Sequence, residues 1–312
     1  MRRGKVERAI QELGYVPNPN ARGLVKKENK SLGVIIAIED QPYNTYEFNY
    51  ETGLYSYNIT NGIPVGLANT DYGLLTERFC VSIQGKELPA LVKNNRVDGI
   101  FLVGGLFTPE LIERLKEKKI PIIAIGRYYD QIDSVSTDVT QGVYLGVRYL
   151  LDQGYRKICY INCPQIYRSN AERVAGVQKA MREFHLEMNR IGWFIVSTIL
   201  GKAVMRQSSG FGSQAQDPNH RCGKRADRSG HHEVLYEQDI RIPEDIAIVS
   251  YEDSVLGGYA VPALTSVNIQ KEYMGELAAR IMLKRIRKGQ EGELEHIIVE
   301  PNLVVRSSVG KC

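Results

Sequence analysis

Four potential metal ligands stand close together in one unusual stretch of the sequence. They are His220, Cys222, His231 and His232, inside SSGFGSQAQDPNHRCGKRADRSGHH, which runs from Ser208 to His232. Imidazole nitrogens and thiolate sulfurs are the usual zinc ligands in proteins. The stretch has no apolar periodicity, so it predicts neither a helix nor a strand. A zinc site is one interpretation of it, and we favour another that depends on the rest of the chain.

The sequence holds none of the short motifs that build common enzyme sites. It contains no G-x-S-x-G turn, no phosphate-binding P-loop and no G-x-G-x-x-G after a predicted strand. The run VGGLF has too few glycines for a dinucleotide site. We therefore expect no enzymatic activity, no resident metal and no cofactor.

Positive charge is concentrated near the N-terminus. The chain as a whole has a mild net charge of +4. The first thirty residues account for all of that excess: Arg2, Arg3, Lys5, Arg8, Arg22, Lys26, Lys27 and Lys30 stand against Glu7, Glu12 and Glu28. A basic arm on a near-neutral body indicates an anionic partner, although a solvated tail is the alternative.

Composition indicates a soluble protein in a reducing compartment. Met1 leads into charged residues and not into an apolar run, and no stretch approaches the ~18 apolar residues of a membrane span. The cysteines are odd in number and scattered, at Cys80, Cys159, Cys163, Cys222 and Cys312. This pattern favours core thiols in the cytoplasm over disulfides.

Apolar runs alternate with amphipathic stretches through the body of the chain. Predicted strands are LGVIIAI, IPVGLANT, VDGIFLVG and IPIIAIG, with helices at YETGLYSYNITNG, in the stretch ending near Asn95, and at TPELIERLKEKK, which Thr108 and Pro109 begin. After Asp138 the alternation restarts, with helix, strand and helix in TQGVYLGVRYLLDQGY, KICYINC and SNAERVAGVQKAMREF. Later come the strand IPEDIAIVSYED and the helix KEYMGELAARIMLKRIRKG. Two successive α/β units predict two lobes, each a parallel sheet covered by helices, with a cleft between them.

Eight segments carry a resemblance to a known family. They are KVERAIQELGYVPNPNARGL, RVDGIFLVG, IPIIAIGR, DVTQGVYLGVRYLLDQGYRKICYI, RVAGVQKAM, IRIPEDIAIVSYEDS, PALTSVNI and NLVVRSS. In this order and spacing they resemble the lactose/galactose repressor (LacI/GalR) family of bacterial transcription regulators. The resemblance covers most of the chain. It implies a helix-turn-helix head, a hinge helix and a two-lobed, periplasmic-binding-protein-like core.

The resemblance also implies a division of the chain. Residues 1–30 would be a remnant of the DNA-binding head and hinge. Residues 31–136 and 265–290 would form the first lobe, and residues 137–264 and 291–312 the second. By the same resemblance Asn18, Ala21, Arg22 and Leu24 belong to the hinge helix, where Leu24 would be the wedge in the DNA minor groove. Lys5–Leu13 is predicted to be an amphipathic helix, and the two helices that precede it in the family are absent here, so we expect weak, poorly selective DNA binding.

Three residues are expected to contact an effector, which the resemblance implies to be a sugar or a purine-like molecule. Arg173 matches a family arginine that hydrogen-bonds effector oxygens, and a guanidinium fork suits two hydroxyls or a carboxylate. Glu252 stands at the first acidic position of the family motif V-G-Y-D-D, here VSYED. Asp138 is a third candidate. The alternatives are that Arg173 pairs with a helix carboxylate and that Asp138 only caps the helix after it.

The stretch Ser208–His232 departs from the family, which has a strand and a helix there. When the codons of CGKRADRSGHHE are shifted by one nucleotide, they permit most of the motif A-x-x-A-x-N-D-x-x-A-L-G-x-M. We therefore predict two compensating frame changes, near Gln207 and Glu233. We expect an exposed loop, a second lobe that lacks a strand and a helix, and poor effector binding.

Together these observations predict a cytoplasmic, effector-responsive transcriptional repressor that forms a homodimer. An apolar stripe on the late helix would face the sheet and, in part, a partner: Met274, Leu277, Ala278, Ile281 and Met282. A stand-alone sugar-binding protein of the same core fold is the alternative function.

Overall fold

The chain forms two compact α/β units, each built on its own six-stranded sheet. A computed structural model describes residues 12, 28–38, 46–80, 87–104, 107–162, 169–187, 191–195, 203–206, 240–289 and 292–311. Among the described residues, the first unit contains 28–38, 55–135 and 275–296, and the second contains 46–54, 136–274 and 297–311. This α/β architecture confirms the predicted fold class.

The first unit is built on a six-stranded sheet, with helices in the connections between its strands. Its elements are β1 (Ser31–Ile38), α1 (Tyr46–Gly66, of which residues 46–54 group with the second unit), β2 (Gly73–Cys80), α2 (Ala90–Lys93), β3 (Gly99–Val103), α3 (Pro109–Lys116), β4 (Ile122–Ile125), β5 (Asp133–Thr137) and, from later in the chain, β11 (His296–Val299). The strand order is β11-β5-β4-β3-β1-β2, and the successive pairs from β5 to β2 are all parallel. Strands β3 and β4 are buried along their whole length, as near-continuous apolar runs predict.

Helix α3 forms as the sequence predicts. The Thr108 hydroxyl accepts a hydrogen bond from the Leu111 amide at 3.3 Å, and Pro109 occupies the first helical position. Leu111, Ile112 and Leu115 are fully buried on one face. The cap and the apolar spacing therefore fix both the start of the helix and the face that packs on the sheet.

The segment between β1 and β3 differs from the prediction. The run IPVGLANT was expected to be a strand, but α1 continues through Ile63 to Gly66 and contains Pro64. Ile59, Ile63 and Leu67 are buried at a spacing of four, so they form a helical face. The strand lies instead at Gly73–Cys80, where a helix was expected, and pairs with β1 over its full length.

The second unit has a mixed sheet. Its elements are α4 (Val139–Asp152), β6 (Ile158–Asn162), α5 (Ser169–Glu183), β7 (Ile191–Ile195), β8 (Ala203–Arg206), β9 (Ile246–Tyr251), α6 (Val255–Tyr259), β10 (Thr265–Asn268), α7 (Lys271–Lys288, which continues into the first unit) and β12 (Asn302–Val304). The strand order is β12-β10-β9-β8-β6-β7. Pairs β6–β7 and β9–β10 are parallel, whereas β12 is antiparallel to β10.

Strand β8 runs opposite to both of its neighbours, so the expectation of an all-parallel second sheet is wrong. Only residues 196–202 separate β7 from β8. A parallel strand needs a crossover of about a dozen residues or more, which this connection is too short to supply. The position between β6 and β9 is therefore filled by an antiparallel strand. The anomalous stretch Ser208–His232, with its four histidine and cysteine residues, lies outside the described residues.

Two predicted boundaries between the units are also wrong. Strand β10 was assigned to the first lobe, but Thr265 pairs with Val249 in the second sheet, and the chain re-enters the first unit at Gly275, inside α7. Strand β11 was assigned to the second lobe, but it lies beside β5 in the first sheet. The Ser134 amide donates to the Glu295 carbonyl at 2.9 Å and leads β11 to that edge.

Helix α7 buries its apolar stripe inside the chain. Met274, Ala278 and Met282 are fully buried, Ile281 is nearly so, and Leu277 is partly buried. The close contact between α7 and α1 depends on Gly275, because a Cβ there would collide with the Ile59 carbonyl oxygen of α1. Of this stripe only Leu277 keeps an exposed part, and a contact with a partner through it stays a prediction.

Candidate functional site

A cluster of charged side chains lies where three segments of the second unit meet. Arg173 comes from α5, Tyr251 and Glu252 from the end of β9, and Lys271 from the first position of α7. Arg173 and Lys271 are only 5% and 7% exposed. We call these four residues the Arg173–Lys271 cluster. Such deeply buried cations are rare unless an anion compensates them.

Helix α5 holds Arg173 against the end of the sheet. The helix lies very close to α4 at Gly176, where a Cβ would be 2.5 Å from the Thr140 carbonyl oxygen. The Thr140 hydroxyl also donates to the Glu172 carbonyl at 3.1 Å. This packing fixes the residue next to Arg173, so the guanidinium has a defined direction.

The guanidinium of Arg173 lies over the ring of Tyr251. Its Cζ is 4.6 Å from the ring centroid, within the range of a cation–π contact. Space for the ring depends on Gly142 in α4, because a Cβ there would lie 3.0 Å from Tyr251 Cε2. The aromatic ring therefore positions the guanidinium and shields one of its faces from water.

The backbone after Tyr251 is held in an unusual conformation. Glu252 and Asp253 have φ of 85° and 43°, in the left-handed region that costs about 1–2 kcal/mol per residue for non-glycine side chains. Lys271 Nζ donates to the Glu252 carbonyl oxygen, and the Glu252 amide donates to the Val267 carbonyl at 2.8 Å. Such strain persists only where surrounding contacts define it fully.

Arg306 holds the neighbouring carboxylate. Its Nη1 donates to Asp253 Oδ1 and to the Leu264 carbonyl oxygen, each at 2.7 Å. Asp253 is therefore paired with Arg306 while its charge also acts on the nearby Lys271.

Burial shifts the pKa values of two members of the cluster, Glu252 and Lys271. Burial raises the pKa of the Glu252 carboxyl, and the nearby Lys271 and Arg173 cations only partly oppose this effect. Burial lowers the pKa of the Lys271 ammonium, against the opposing charges of Glu252 and Asp253. In both cases desolvation disfavours the charged form.

Two of the three predicted effector contacts, Arg173 and Glu252, lie together in this cluster. Asp138 does what its alternative predicted: its Oδ1 accepts a hydrogen bond from the Gln141 amide at 2.8 Å and caps α4, while the residue is exposed. An effector contact by Asp138 stays a prediction.

The structure does not test the predicted hinge residues. Asn18, Ala21, Arg22 and Leu24 lie outside the described residues.

Sequence reasoning missed Lys271 and the ring of Tyr251. The available signal was the lysine itself, at the first position of a long helix, where acidic side chains are preferred.

None of the helices in the described ranges is long and apolar enough to cross a membrane.

Family models match most of the chain. The model described as periplasmic binding proteins and sugar binding domain of LacI family matches residues 29–194. The model described as periplasmic binding protein-like domain matches residues 147–309.

Similar proteins are transcription regulators by name. The HTH-type transcriptional repressor PurR of Vibrio vulnificus (strain CMCP6) is 29% identical over 98% of this chain and 89% of its own length. The HTH-type transcriptional regulator CelR of Thermobifida fusca is likewise 29% identical, with the same two coverages.

Solved structures share the fold at lower identity. A transcriptional regulator CelR–cellobiose complex matches with a TM-score of 0.65 at 22% identity, over 97% of this chain and 89% of that one. A LacI family regulator from Enterococcus faecium with bound ribose matches with a TM-score of 0.67 at 19% identity, over 90% and 99%. Because the LacI-type model covers more than half of the sequence and the described fold agrees with it, this chain belongs to the LacI family.

Proposed function

We propose that the chain is an effector-responsive transcriptional regulator of the repressor type, which acts in the cytoplasm. The observation that carries this proposal is the Arg173–Lys271 cluster in a chain of the LacI family. Its relatives include proteins named as PurR and CelR regulators, and one structural neighbour holds ribose. The corresponding ligand here is a small sugar or a purine-like molecule.

The chemistry of the cluster suits such a ligand. Arg173 presents up to five donors in a planar fork, and Glu252 supplies acceptors when ionised or one donor when protonated. Hydroxyl-rich rings and purine edges offer both donors and acceptors, so each would satisfy this set. Desolvation strengthens the selectivity of these contacts, because a ligand that leaves the buried groups unpaired is penalised.

DNA binding would be carried by the basic arm. Phosphate contacts by lysine and arginine give affinity that falls steeply with salt, but they confer little sequence choice. Asn18, Ala21, Arg22 and Leu24 are the proposed hinge contacts. Since the arm is rich in cations, we expect weak binding that depends on salt and discriminates little between sequences.

A titration of the full chain tests this assignment. Labelled DNA from beside its own gene and a scrambled duplex would be compared by fluorescence anisotropy at about 50 and 200 mM salt. We expect similar affinities for the two duplexes and a loss of roughly tenfold or more at the higher salt. Tight, discriminating binding at the higher salt would contradict the expected weak arm. Ligand binding without any DNA binding at the lower salt would favour the stand-alone sugar-binding protein.

We further propose that two copies of the chain associate through the segment around α6. Val255, Leu256, Tyr259 and Val261 form an exposed apolar patch, and Tyr259 and Val261 are 82% and 91% exposed. Large exposed apolar patches on soluble proteins commonly mark interaction surfaces. A second copy is the occupant that membership of a homodimeric regulator family favours.

Sedimentation equilibrium of Tyr259→Lys tests the dimer. We expect the substitution to raise the dimer dissociation constant by roughly tenfold or more, because an aromatic anchor is lost and an ammonium must be desolvated. Ile298→Lys is the matched control, since Ile298 is also exposed but lies on β11. A folded wild-type protein that sediments as a monomer would contradict the dimer. Equal effects of the two substitutions would contradict the assignment of the patch.

A further inference from the structure

One carboxylate of the first unit binds the end of the basic arm. Asp98 lies between α2 and β3, 69 positions after Asn29. Its Oδ1 accepts hydrogen bonds from the Asn29 amide at 2.9 Å and from Asn29 Nδ2 at 3.0 Å. Its Oδ2 accepts from the same Asn29 amide at 3.0 Å and from the Lys30 amide at 2.8 Å. Both carboxylate oxygens therefore hold the last two residues of the arm, and we call these contacts the Asp98 anchor.

The backbone beside the anchor is also fixed to the sheet. The Asp98 amide donates to the Ser31 carbonyl at 2.8 Å, and the Gly73 amide donates to the Lys30 carbonyl at 2.9 Å. Lys30 has a φ of 51°, in the left-handed region that is unfavourable for a lysine. Such a conformation persists only where the surrounding contacts define it. The chain therefore enters β1 from the arm in one defined direction.

The charge of Asp98 is unfavourable for DNA binding by the arm. Lysine and arginine side chains of the arm would bind phosphates, and a carboxylate near them repels the same phosphates. Electrostatics alone therefore predicts that removal of the Asp98 charge strengthens DNA binding or leaves it unchanged. The hydrogen bonds predict the opposite, because a charged acceptor holds backbone amides more strongly than a neutral one does.

We propose that Asp98 is a positioning residue for DNA binding, which holds the end of the basic arm and fixes the direction in which the arm leaves the first unit. This inference rests on the proposed role of the arm in DNA binding. A segment that is already oriented loses less conformational freedom when it binds, so its affinity is higher without any new contact. Asp98 acts through Asn29 and Lys30 and not through a contact with DNA.

Asp98→Asn distinguishes the anchor from a simple effect of charge. Asparagine keeps the shape of the side chain, but it places an amide nitrogen where one oxygen accepted a hydrogen bond. The full chain is titrated with labelled DNA from beside its own gene, by fluorescence anisotropy at about 50 mM salt. We expect the variant to bind roughly 3- to 10-fold more weakly than the wild type. A folded Asp98→Asn variant that binds as tightly as the wild type, or more tightly, would overturn the inference.

Asp71→Asn is the matched control. Asp71 is exposed, and its charge acts on Lys30 from nearby. The described hydrogen bonds of the Asn29 and Lys30 amides go to Asp98 and not to Asp71. We therefore expect Asp71→Asn to bind DNA as tightly as the wild type or slightly more tightly. Equal weakening by the two substitutions would show that the anchor is not the cause.

Asn29→Ala tests the anchor from the side of the arm, without any change of charge. It removes the Nδ2 donor at an exposed position, and we expect DNA binding to weaken by roughly 2- to 3-fold. Hydrogen exchange gives a second measurement that does not involve DNA. The amides of Asn29 and Lys30 should exchange faster in Asp98→Asn than in the wild type or in Asp71→Asn. Circular dichroism checks that each variant is folded.

The wild-type titration separates this inference from the proposed function. If the wild type binds DNA and neither Asp98→Asn nor Asn29→Ala weakens the binding, the anchor has no role in it and the proposed function stands. If the wild type does not bind DNA at about 50 mM salt, the inference and the proposed DNA binding both fail. If Asp98→Asn does not fold, the affinity of Asn29→Ala decides between the two outcomes.

Discussion

Replacing Asp133 with Asn is expected to lower the free energy of unfolding of the first unit by about 3–5 kcal/mol. Arg285 donates to both carboxylate oxygens of Asp133, at 2.8 and 2.7 Å, and both side chains are buried. Asparagine keeps the shape but removes the charge, so the guanidinium of Arg285 is left buried without its anion. Breaking a buried pair from one side is costly because the remaining charge is uncompensated.

The ion pair also joins segments that are distant in sequence. Asp133 begins β5, Arg285 lies in α7, and Asp133 Oδ1 accepts from the Glu295 amide at 2.7 Å. Arg285 Nη2 donates in addition to the Glu293 carbonyl at 2.6 Å. Loss of the carboxylate charge therefore weakens the attachment of β11 to the sheet as well as the pair itself.

Urea denaturation measures the effect, with two signals for the two units. The only tryptophan, Trp193, lies in β7 of the second sheet, so its fluorescence reports on the second unit, while circular dichroism reports on both. Glu113→Gln is the control, because it breaks an exposed pair with Lys116 that contributes about 0–0.5 kcal/mol. Equal midpoints for Asp133→Asn and Glu113→Gln would contradict the prediction.

Local signals predicted the elements whose chemistry is local. Helix α3 carries its own cap at Thr108 and its own apolar face, and it forms as predicted. The strand at Gly73–Cys80 carries no such signal, because its alternation of polar and apolar residues is weak. That segment becomes a strand through pairing with β1, an interaction that no local window contains. Residues within the segment therefore determine where this helix begins, whereas pairing with a neighbouring strand determines that Gly73–Cys80 is a strand.

Local sequence patterns could not predict the boundaries between the units, for a related reason. Helix α7 begins in the second unit and ends in the first without a break. Its sequence is equally helical on both sides of Gly275, so periodicity gives no sign of the crossing. Strand β11 is a short apolar run whose sequence would suit the edge of either sheet. Its position beside β5 depends on Asp133, which pairs with Arg285 and accepts a hydrogen bond from the Glu295 amide.

The candidate site was predictable where the family resemblance supplied residues. Arg173 and Glu252 came from matched motifs, and they lie in one cluster. Lys271 did not, because its significance depends on burial and on the carbonyl of Glu252, nineteen positions earlier in the chain. Charge alone on a helix predicts a solvated side chain, so only the packed structure distinguishes this lysine from the exposed Lys288.

Replacing Arg173 with Met is expected to weaken ligand binding by roughly 100- to 1,000-fold. Methionine has a similar length and packs well against an aromatic ring, so the apolar part of the contact with Tyr251 is retained. The guanidinium donors are lost, and ligand oxygens that they would bind become buried without partners. Charged hydrogen bonds are each expected to contribute about 1.5–3 kcal/mol, and the fork makes two of them.

The measurement is calorimetric titration with whichever of glucose, galactose and hypoxanthine binds the wild type most tightly. Arg182→Met is the control, because Arg182 lies in the same helix but is exposed. An unchanged affinity in folded Arg173→Met would mean that the guanidinium serves only to pack on Tyr251, and the effector site would have to lie elsewhere.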